Sequence, residues 1–221
     1  RKAKWIIEVK TTKIPEAQVL GSAIGMKVME DVPYVKGLDK WIGTELTDDA
    51  KAYLKDFGAA TASNGAVGLY HVDNLTPEAV EMGESIINDN AQVYVIDDAE
   101  LERVKKNYPV MWANPNAKPS KCFIGCPHLT YAQLGEWADR FEKELKKQGK
   151  SKVGMETIMT AAPEVLEHFQ KDNTAAYDKL IGFGVKLTYI CPLMYMNNPL
   201  CGKKPVVTNS NKLRTYTTSR Y

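Results

Sequence analysis

The chain has 221 residues, of which 44% are apolar and 25% charged, and its formal net charge is +2. These values are ordinary for a globular protein and exclude a disordered, collagen-like or fibrous chain. The 29 basic and 27 acidic residues nearly balance, which argues against a nucleic-acid-binding protein. No apolar run approaches the ~18 residues of a membrane span, and the first residues lack the features of a secretory signal. We therefore expect a cytoplasmic protein.

In the first half, short apolar runs alternate with amphipathic stretches, as in a parallel sheet covered by helices. A strand is expected at 4–10, followed by a helix from Pro15 and an irregular stretch at 31–46. A helix capped by Thr47 is expected to run to about Ser63 and to stop at Asn64 and Gly65, which tolerate the left-handed closing conformation. The remaining elements are a strand at 66–72, a helix from Thr76, a strand at 91–96 and a helix at 97–108.

The second half continues the alternation. Its best-specified helix begins at Thr130, because Thr130 and Gln133 form a capping box ahead of an apolar stripe. The other expected elements are strands at 120–125, 152–159, 185–190 and 206–208, helices at 163–171 and 173–182, an irregular stretch at 192–205 and a final helix from Ser210.

This order of elements predicts the α/β class: a mainly parallel sheet flanked by helices, in one compact unit that has room for two lobes. Ligands of such sheets collect beyond the carboxyl ends of the strands, where several polar clusters fall. The chain begins with Arg1 rather than methionine, and its first strand starts almost at once. We therefore expect a fragment of a longer polypeptide.

Two of the four cysteines stand at the ends of predicted strands, each just before a proline. Without an export signal, the thiols are expected to stay reduced. Cys122 lies inside a strand, and alternation puts it on the same face as Cys126, which reaches the edge of the sheet. Cys126 precedes a helix N-terminus, which favours a thiolate able to bind metal or attack an electrophile. Cys191 likewise follows a predicted strand and precedes a proline. Cys201 lies in an irregular loop, where it either joins the other thiols in a shared cluster or is an incidental surface thiol.

Short polar side chains in two loops are candidates for binding an anion such as a carboxylate or a phosphate. They are Ser63, Asn64, Asn209, Ser210 and Lys212. Both loops also have a plain structural interpretation, as a helix-to-strand turn and as a surface helix capped by Ser210. His128 lies two residues after Cys126 and is a candidate acid or base, because such work needs a titratable group close to the reacting centre.

Four segments together resemble the aconitase X family. They are SNGAVGLYHVDNLTPEA at 63–79, IGCPHLTYAQL at 124–134, ICPLMYMNNP at 190–199 and TNSNKLRTY at 208–216. The similarity in order and spacing extends over nearly the whole chain, and GCPH and TNSNK are its most specific parts. The chain is similar to the later portion of the large subunit or domain of that family, which includes phosphomevalonate and cis-3-hydroxyproline dehydratases.

The resemblance implies an aconitase-like fold and an iron–sulfur hydro-lyase, with a 4Fe–4S cluster in the complete enzyme. The open iron of such a cluster acts as a Lewis acid on the hydroxyl of the substrate while a base removes the neighbouring proton. The resemblance implies Cys126 as a cluster ligand. Cys191 is the thiol nearest to the family's third ligand, displaced from it by a few positions. His128 would serve the catalytic site, and the anion candidates would hold a small hydroxy acid.

The family has a further cysteine in sequence that precedes Arg1, and its catalytic serine belongs to a small swivelling subunit or domain. We therefore expect this chain to hold part of a site and to be inactive by itself. Two other interpretations stay open. One is a non-catalytic α/β binding or structural module whose cysteines are buried or bind zinc, and the other is a thiol enzyme with Cys126 as its nucleophile.

Overall fold

The computed structural model describes residues 1–108, 114, 116–196 and 204–218, and it describes the side chains of all of these except 195, 196, 217 and 218. The chain divides into two compact units, Arg1–Pro109 and Val110–Tyr221. Each unit has its own four-stranded sheet, in which every pair of neighbouring strands is parallel. The predicted α/β class is confirmed. That the whole chain forms one compact body stays a prediction.

The first unit has a sheet of strand order β3-β2-β1-β4. Its strands are β1 (Ala3–Val9), β2 (Pro33–Lys36), β3 (His71–Val72) and β4 (Ile87–Ile96). Its helices are α1 (Ala17–Val28), α2 (Asp39–Ile42), α3 (Asp48–Gly65), α4 (Pro77–Met82) and α5 (Asp98–Lys106), with a 3-10 turn at Gly83–Ile86. Alternate residues of β1 pack into an apolar core with α1, α3 and α5, as a period of two requires.

Three expectations for this unit are wrong in detail. Residues 31–46 contain β2 and α2, whose four residues each are too short to give a periodic signal. The strand expected at 66–72 is reduced to β3. Helix α3 continues through Gly65, and the left-handed residue that closes it is Ala66, with φ of 62°. Gly65 serves close packing instead, because a Cβ atom there would lie 1.8 Å from the carbonyl oxygen of Gly25 in α1.

The second unit has the strand order β7-β6-β5-β8. Its strands are β5 (Lys121–Leu129), β6 (Glu156–Ala161), β7 (Val185–Thr188) and β8 (Val206–Thr208). Its helices are α6 (Tyr131–Lys147), α7 (Pro163–Asp172), α8 (Thr174–Gly182), α9 (Pro192–Met196) and α10 (Asn211–Thr218). The capping box between Thr130 and Gln133 is confirmed. Helix α9 falls in a stretch that was expected to be irregular, and β6 begins four residues later than expected.

The two units share one topology. In each, the first strand is flanked by the second on one side and by the fourth on the other, and the third strand pairs with the second. The strand order therefore reverses between β1 and β4 in the first unit and between β5 and β8 in the second. Open α/β sheets bind ligands at such a reversal, beyond the carboxyl ends of the strands. Within the described residues, no helix is long and apolar enough to cross a membrane.

Candidate functional site

Strand β5 changes face at Gly125. Cys122 packs against the apolar cluster that includes residues of α6, α7 and α8, whereas Cys126 belongs to the cluster of Phe123, Ile158 and Leu213. The expectation that both cysteines share a face is therefore wrong. Gly125 has φ of +100°, and the pairing of β5 with β6 shifts register after Ile124, so the alternation of side chains is interrupted between the two thiols.

The neighbours of Gly125 leave no room for a side chain. A Cβ atom there would lie 2.4 Å from the carbonyl oxygen of Thr160, and φ of +100° is strained for any residue with a Cβ. The hydroxyl of Thr160, a fully buried residue of β6, donates to the carbonyl oxygen of Gly125. These contacts hold the bend that aims Cys126 towards β8 and α10.

Ser210 ties the start of α10 to Cys126. Its hydroxyl donates to the carbonyl oxygen of Cys126 and accepts the backbone N–H of Leu213 at 2.9 Å. The second contact caps the helix. Ser210 is 2% exposed, so its hydroxyl is committed to the protein. The predicted cap is confirmed, and its bond to Cys126 spans the strand-order reversal between β5 and β8.

Asn209 and Lys212 lie beside this contact. The side-chain oxygen of Asn209 accepts the backbone N–H of Gly125 at 3.4 Å, and the residue is otherwise exposed. The ammonium group of Lys212 lies 5.7 Å from the centre of the Tyr216 ring, and its positive charge acts on the Cys126 thiol. An exposed amide and a lysine therefore lie close to a buried thiol.

Cys126 and Cys191 are close enough to interact electrostatically. Burial raises the pKa of the Cys126 thiol, the adjacent Ser210 side chain and the charge of Lys212 lower it, and Cys191 raises it further. Cys126 is 6% exposed, whereas Cys191 is exposed in the short segment between β7 and α9. Both thiols therefore belong to the same side of one unit, at or after the carboxyl ends of its strands.

The described thiols have the chemistry of metal ligands. Thiolate sulfur suits iron–sulfur clusters and zinc, and Cys126 and Cys191 are a pair of such donors. Within residues 1–108, 114, 116–196 and 204–218, no group of three or more His, Cys, Asp or Glu residues could hold a metal ion. Cys201 lies outside the described residues. Two thiols could hold two positions of a cluster, and a complete cluster would need further ligands.

The remaining candidates are spread over both units. His128 is half-buried in β5, two residues after Cys126. Ser63 and Asn64 lie in the last turn of α3, in the first unit. The Asn64 amide donates to the carbonyl oxygen of Ala60 at 2.9 Å, as does the Ser63 hydroxyl at 3.2 Å. The structure thus brings Cys126, Cys191, Asn209, Ser210 and Lys212 together and leaves Ser63 and Asn64 in the other unit.

Sequence reasoning missed two residues that shape this site, Gly125 and Thr160. A glycine inside a predicted strand is a known signal of a bulge, so Gly125 was open to detection. Thr160 gave no signal, because its role depends on the position of β6 beside β5.

Comparisons with known proteins agree with this fold. Residues 3–106 match the family model described as "Aconitase X second domain". The chain is 32% identical over 141 residues to the phosphomevalonate dehydratase large subunit of Thermococcus kodakarensis, a match that covers 63% of this chain and 32% of that protein. It is 25% identical over 202 residues to the cis-3-hydroxy-L-proline dehydratase of Hypocrea jecorina, a match that covers 90% of this chain and 31% of that protein.

A solved structure, the holo-form of aconitase X from Thermococcus kodakaraensis, aligns with a TM-score of 0.74 at 26% identity and covers 99% of this chain and 51% of that one. The chain thus spans about a third of the curated relatives and half of the solved chain. Fold and sequence together define an α/β protein that is similar to part of an aconitase X protein over nearly its whole length, with residues 3–106 matching the second domain of that family. The similar proteins include large subunits of phosphomevalonate dehydratase and a hydroxyproline dehydratase.

Proposed function

We propose that the chain is part of an iron–sulfur hydro-lyase that removes water from a small hydroxy acid. The observation that carries the proposal is that Cys126 and Cys191 lie towards the same carboxyl edge of the second sheet, Cys126 beside Asn209 and Lys212. The names of the relatives support the reaction class, since they act on phosphomevalonate or on cis-3-hydroxy-L-proline. A substrate of either kind carries a carboxylate and a hydroxyl group.

Each residue of the site has a proposed task. Cys126 and Cys191 hold two positions of a cluster, whose iron, when bound, supplies a Lewis acid for the leaving hydroxyl group. Lys212 neutralises a carboxylate or phosphate of the substrate, and the exposed amide of Asn209 orients it. Ser210 is a positioning residue that holds Cys126, because its hydroxyl is already engaged. His128 moves a proton near the site.

Ser63 and Asn64, in the other unit, remain candidates for a separate contact with the substrate anion. Each side chain donates a hydrogen bond to the carbonyl oxygen of Ala60 in its own helix. A contact with the anion would therefore require the Asn64 amide or the Ser63 hydroxyl to turn away from Ala60. A Ser63→Ala variant of the complete enzyme tests this role. An unchanged KM would remove the residue from the proposed site.

The complete enzyme is proposed to contain a second, small subunit or domain, because several relatives are named large subunits. The chain alone is proposed to be inactive, since it spans about a third of those relatives. Sustained dehydration of either substrate by the isolated, reconstituted chain would contradict this. A cytoplasmic location stays a prediction.

The cluster is tested by anaerobic reconstitution of the complete enzyme with iron and sulfide, because the described residues supply only part of the ligand set. We expect absorption near ~400 nm, which is typical of cysteine-bound iron–sulfur centres, and its loss in Cys126→Ala and Cys191→Ala. Cys122→Ala is the matched control and is expected to retain the absorption, because that thiol packs into the opposite face of the sheet. Full iron content in both single variants would refute the ligand assignment. Colourless protein with stoichiometric zinc would favour the non-catalytic alternative.

A further inference from the structure

The carboxyl edge of the first sheet carries buried hydrogen-bond donors that have no acceptor. Among the described residues, three buried side-chain polar atoms lack a partner, and two of them, the hydroxyl of Thr11 and the indole Nε1 of Trp41, lie at this edge. Thr11 follows β1 by two residues and is 4% exposed, and Trp41 lies in α2, which follows β2. A buried polar group without a partner costs about 1–3 kcal/mol, so two such groups beside neighbouring strands require an explanation.

Lys40 contacts both residues that carry the unpaired groups. Its ammonium group donates to the carbonyl oxygen of Thr11 at 3.3 Å and lies 5.0 Å from the centre of the Trp41 ring. Lysine has three donors and no acceptor, the indole Nε1 is a donor only, and the hydroxyl has one donor. The cluster of Thr11, Lys40 and Trp41 therefore has a surplus of donors around one positive charge. What it lacks is acceptor oxygen.

Two described carboxylates near this cluster are already engaged: Asp39, beside Lys40 in α2, accepts the side-chain amide of Asn74 at 2.9 Å, and Asp98 is bonded to Thr12. Asp98 accepts the backbone N–H of Thr12 at 3.1 Å and the hydroxyl of Thr12 at 2.6 Å, and the same two bonds lower its pKa. The charges of Lys13 and Lys40 act on Asp98 as well. Asp98 thus closes the gap between the ends of β1 and β4, and it bonds to Thr12 rather than to Thr11 or Trp41.

The cluster lies at the carboxyl edge of the sheet, beyond the ends of the neighbouring strands β1 and β2. Strand order reverses on the other side of β1, between β1 and β4, so the cluster borders the reversal through Thr11 alone. Crevices at the carboxyl edge beside such a reversal are where open α/β sheets hold small ligands. The second unit has its cysteines and anion candidates at the corresponding edge.

We propose that Thr11, Lys40 and Trp41 form a binding site for a small oxyanion, a carboxylate or a phosphate. The oxygens of the anion accept from the Thr11 hydroxyl, the Lys40 ammonium and the Trp41 indole N–H, and Lys13 adds positive charge nearby. This site lies in the unit that lacks the cysteines and needs no cluster. It goes beyond the proposed function and does not depend on it.

The test is a titration of the full chain, free of iron, followed by the indole N–H signals in proton–nitrogen correlation spectra. Trp41→Phe identifies the Trp41 signal. Inorganic phosphate and acetate are added separately at constant ionic strength, with chloride as the reference salt. We expect the Trp41 signal to shift and saturate with at least one of the two anions, and which anion saturates gives the class of ligand.

Lys40→Gln and Thr11→Val are expected to weaken the binding by about tenfold, as the loss of a charged or buried donor predicts. Lys51→Gln is the matched control, because Lys51 lies on α3 of the same unit with 62% of its side chain exposed, and it should bind like the parent chain. A Trp41 signal that never saturates, that responds equally to chloride, or that saturates identically in Lys40→Gln and Thr11→Val would overturn the proposal. The measurement uses no iron, so a negative result here does not contradict the proposed cluster. Failure to reconstitute the cluster likewise does not contradict the proposed anion site.

Discussion

The hydroxyl of Ser210 donates to the carbonyl oxygen of Cys126, which lies 84 positions earlier in the sequence. This bond joins the end of β5 to the start of α10 across the reversal of strand order. Because Leu213 donates to the same hydroxyl, one buried oxygen caps a helix and fixes the backbone that carries the thiol. The geometry of the candidate site therefore depends on the hydroxyl of Ser210.

Replacement of Ser210 by alanine is expected to lower the free energy of unfolding by about 1–3 kcal/mol, because it removes a cap and leaves a buried carbonyl oxygen without its donor. Urea unfolding followed by circular dichroism measures the change. Ser85→Ala is the control: Ser85 also donates to a backbone carbonyl, that of Met82, but it is exposed, so a change within about 0.5 kcal/mol is expected. Equal losses in the two variants would contradict the role of Ser210.

Replacement of Gly125 by alanine is expected to destabilise the second unit severely, by about 3 kcal/mol or more, because the new Cβ meets the Thr160 carbonyl oxygen at 2.4 Å in a strained backbone conformation. Gly154→Ala is the control, since nothing lies within 4 Å of a Cβ there. Urea unfolding compares the two. If Gly125→Ala is as stable as Gly154→Ala, the bend at Cys126 is not imposed by the glycine.

The cysteines are expected to differ in reactivity when the chain is free of metal. Cys191 is exposed, whereas Cys126 is 6% exposed, and burial raises the pKa of Cys122 to about 11. A thiol of that pKa has roughly a hundredfold less thiolate at neutral pH than one with a pKa near 9. Iodoacetamide labelling, mapped by fragment ions within each tryptic peptide, should modify Cys191 first. Labelling of Cys122 at the same rate would contradict the described burial.

Glu156 is expected to make stability depend on pH in the acid range. Hydrogen bonds from Lys121 and Lys186 lower its pKa to about 2, and the Lys121 side chain is only 8% exposed. Because the folded pKa lies below the unfolded value of about 4.3, the ion pairs stabilise the protein above that value. The stabilisation is lost as the pH falls towards about 2.

Urea midpoints of the parent chain and of Glu156→Gln, measured between pH 5 and pH 2.5, check this. The difference between them should be largest near pH 5 and shrink as the pH falls. Glu142→Gln removes a more exposed partner of Lys179, with 49% of the Glu142 side chain accessible, and should change the midpoint less at every pH. A constant difference for Glu156→Gln would refute the assignment.

Much of the site was accessible from local sequence signals. The capping box at Thr130 and the cap at Ser210 depend on a few neighbouring residues. The strand end expected at Cys126 was wrong, because β5 continues past Pro127 to Leu129. The short strand β2 was missed because four residues carry too little periodicity. The shared topology of the two units left no trace as a sequence repeat, since strand order is set by which apolar faces pack together rather than by identical residues.

The sequence by itself determined the α/β class, the placement of most helices and strands, and the presence of thiols and cations at strand ends, because these follow from periodicity, caps and turn residues over short distances. Only the tertiary structure decided that Cys126 leaves the face of Cys122, that Ser210 bonds to the backbone of Cys126, and that Thr11 lies with Lys40 and Trp41 at the edge of the first sheet. Each of these depends on residues far apart in the chain, and such contacts are fixed by packing and by the need to pair buried polar groups.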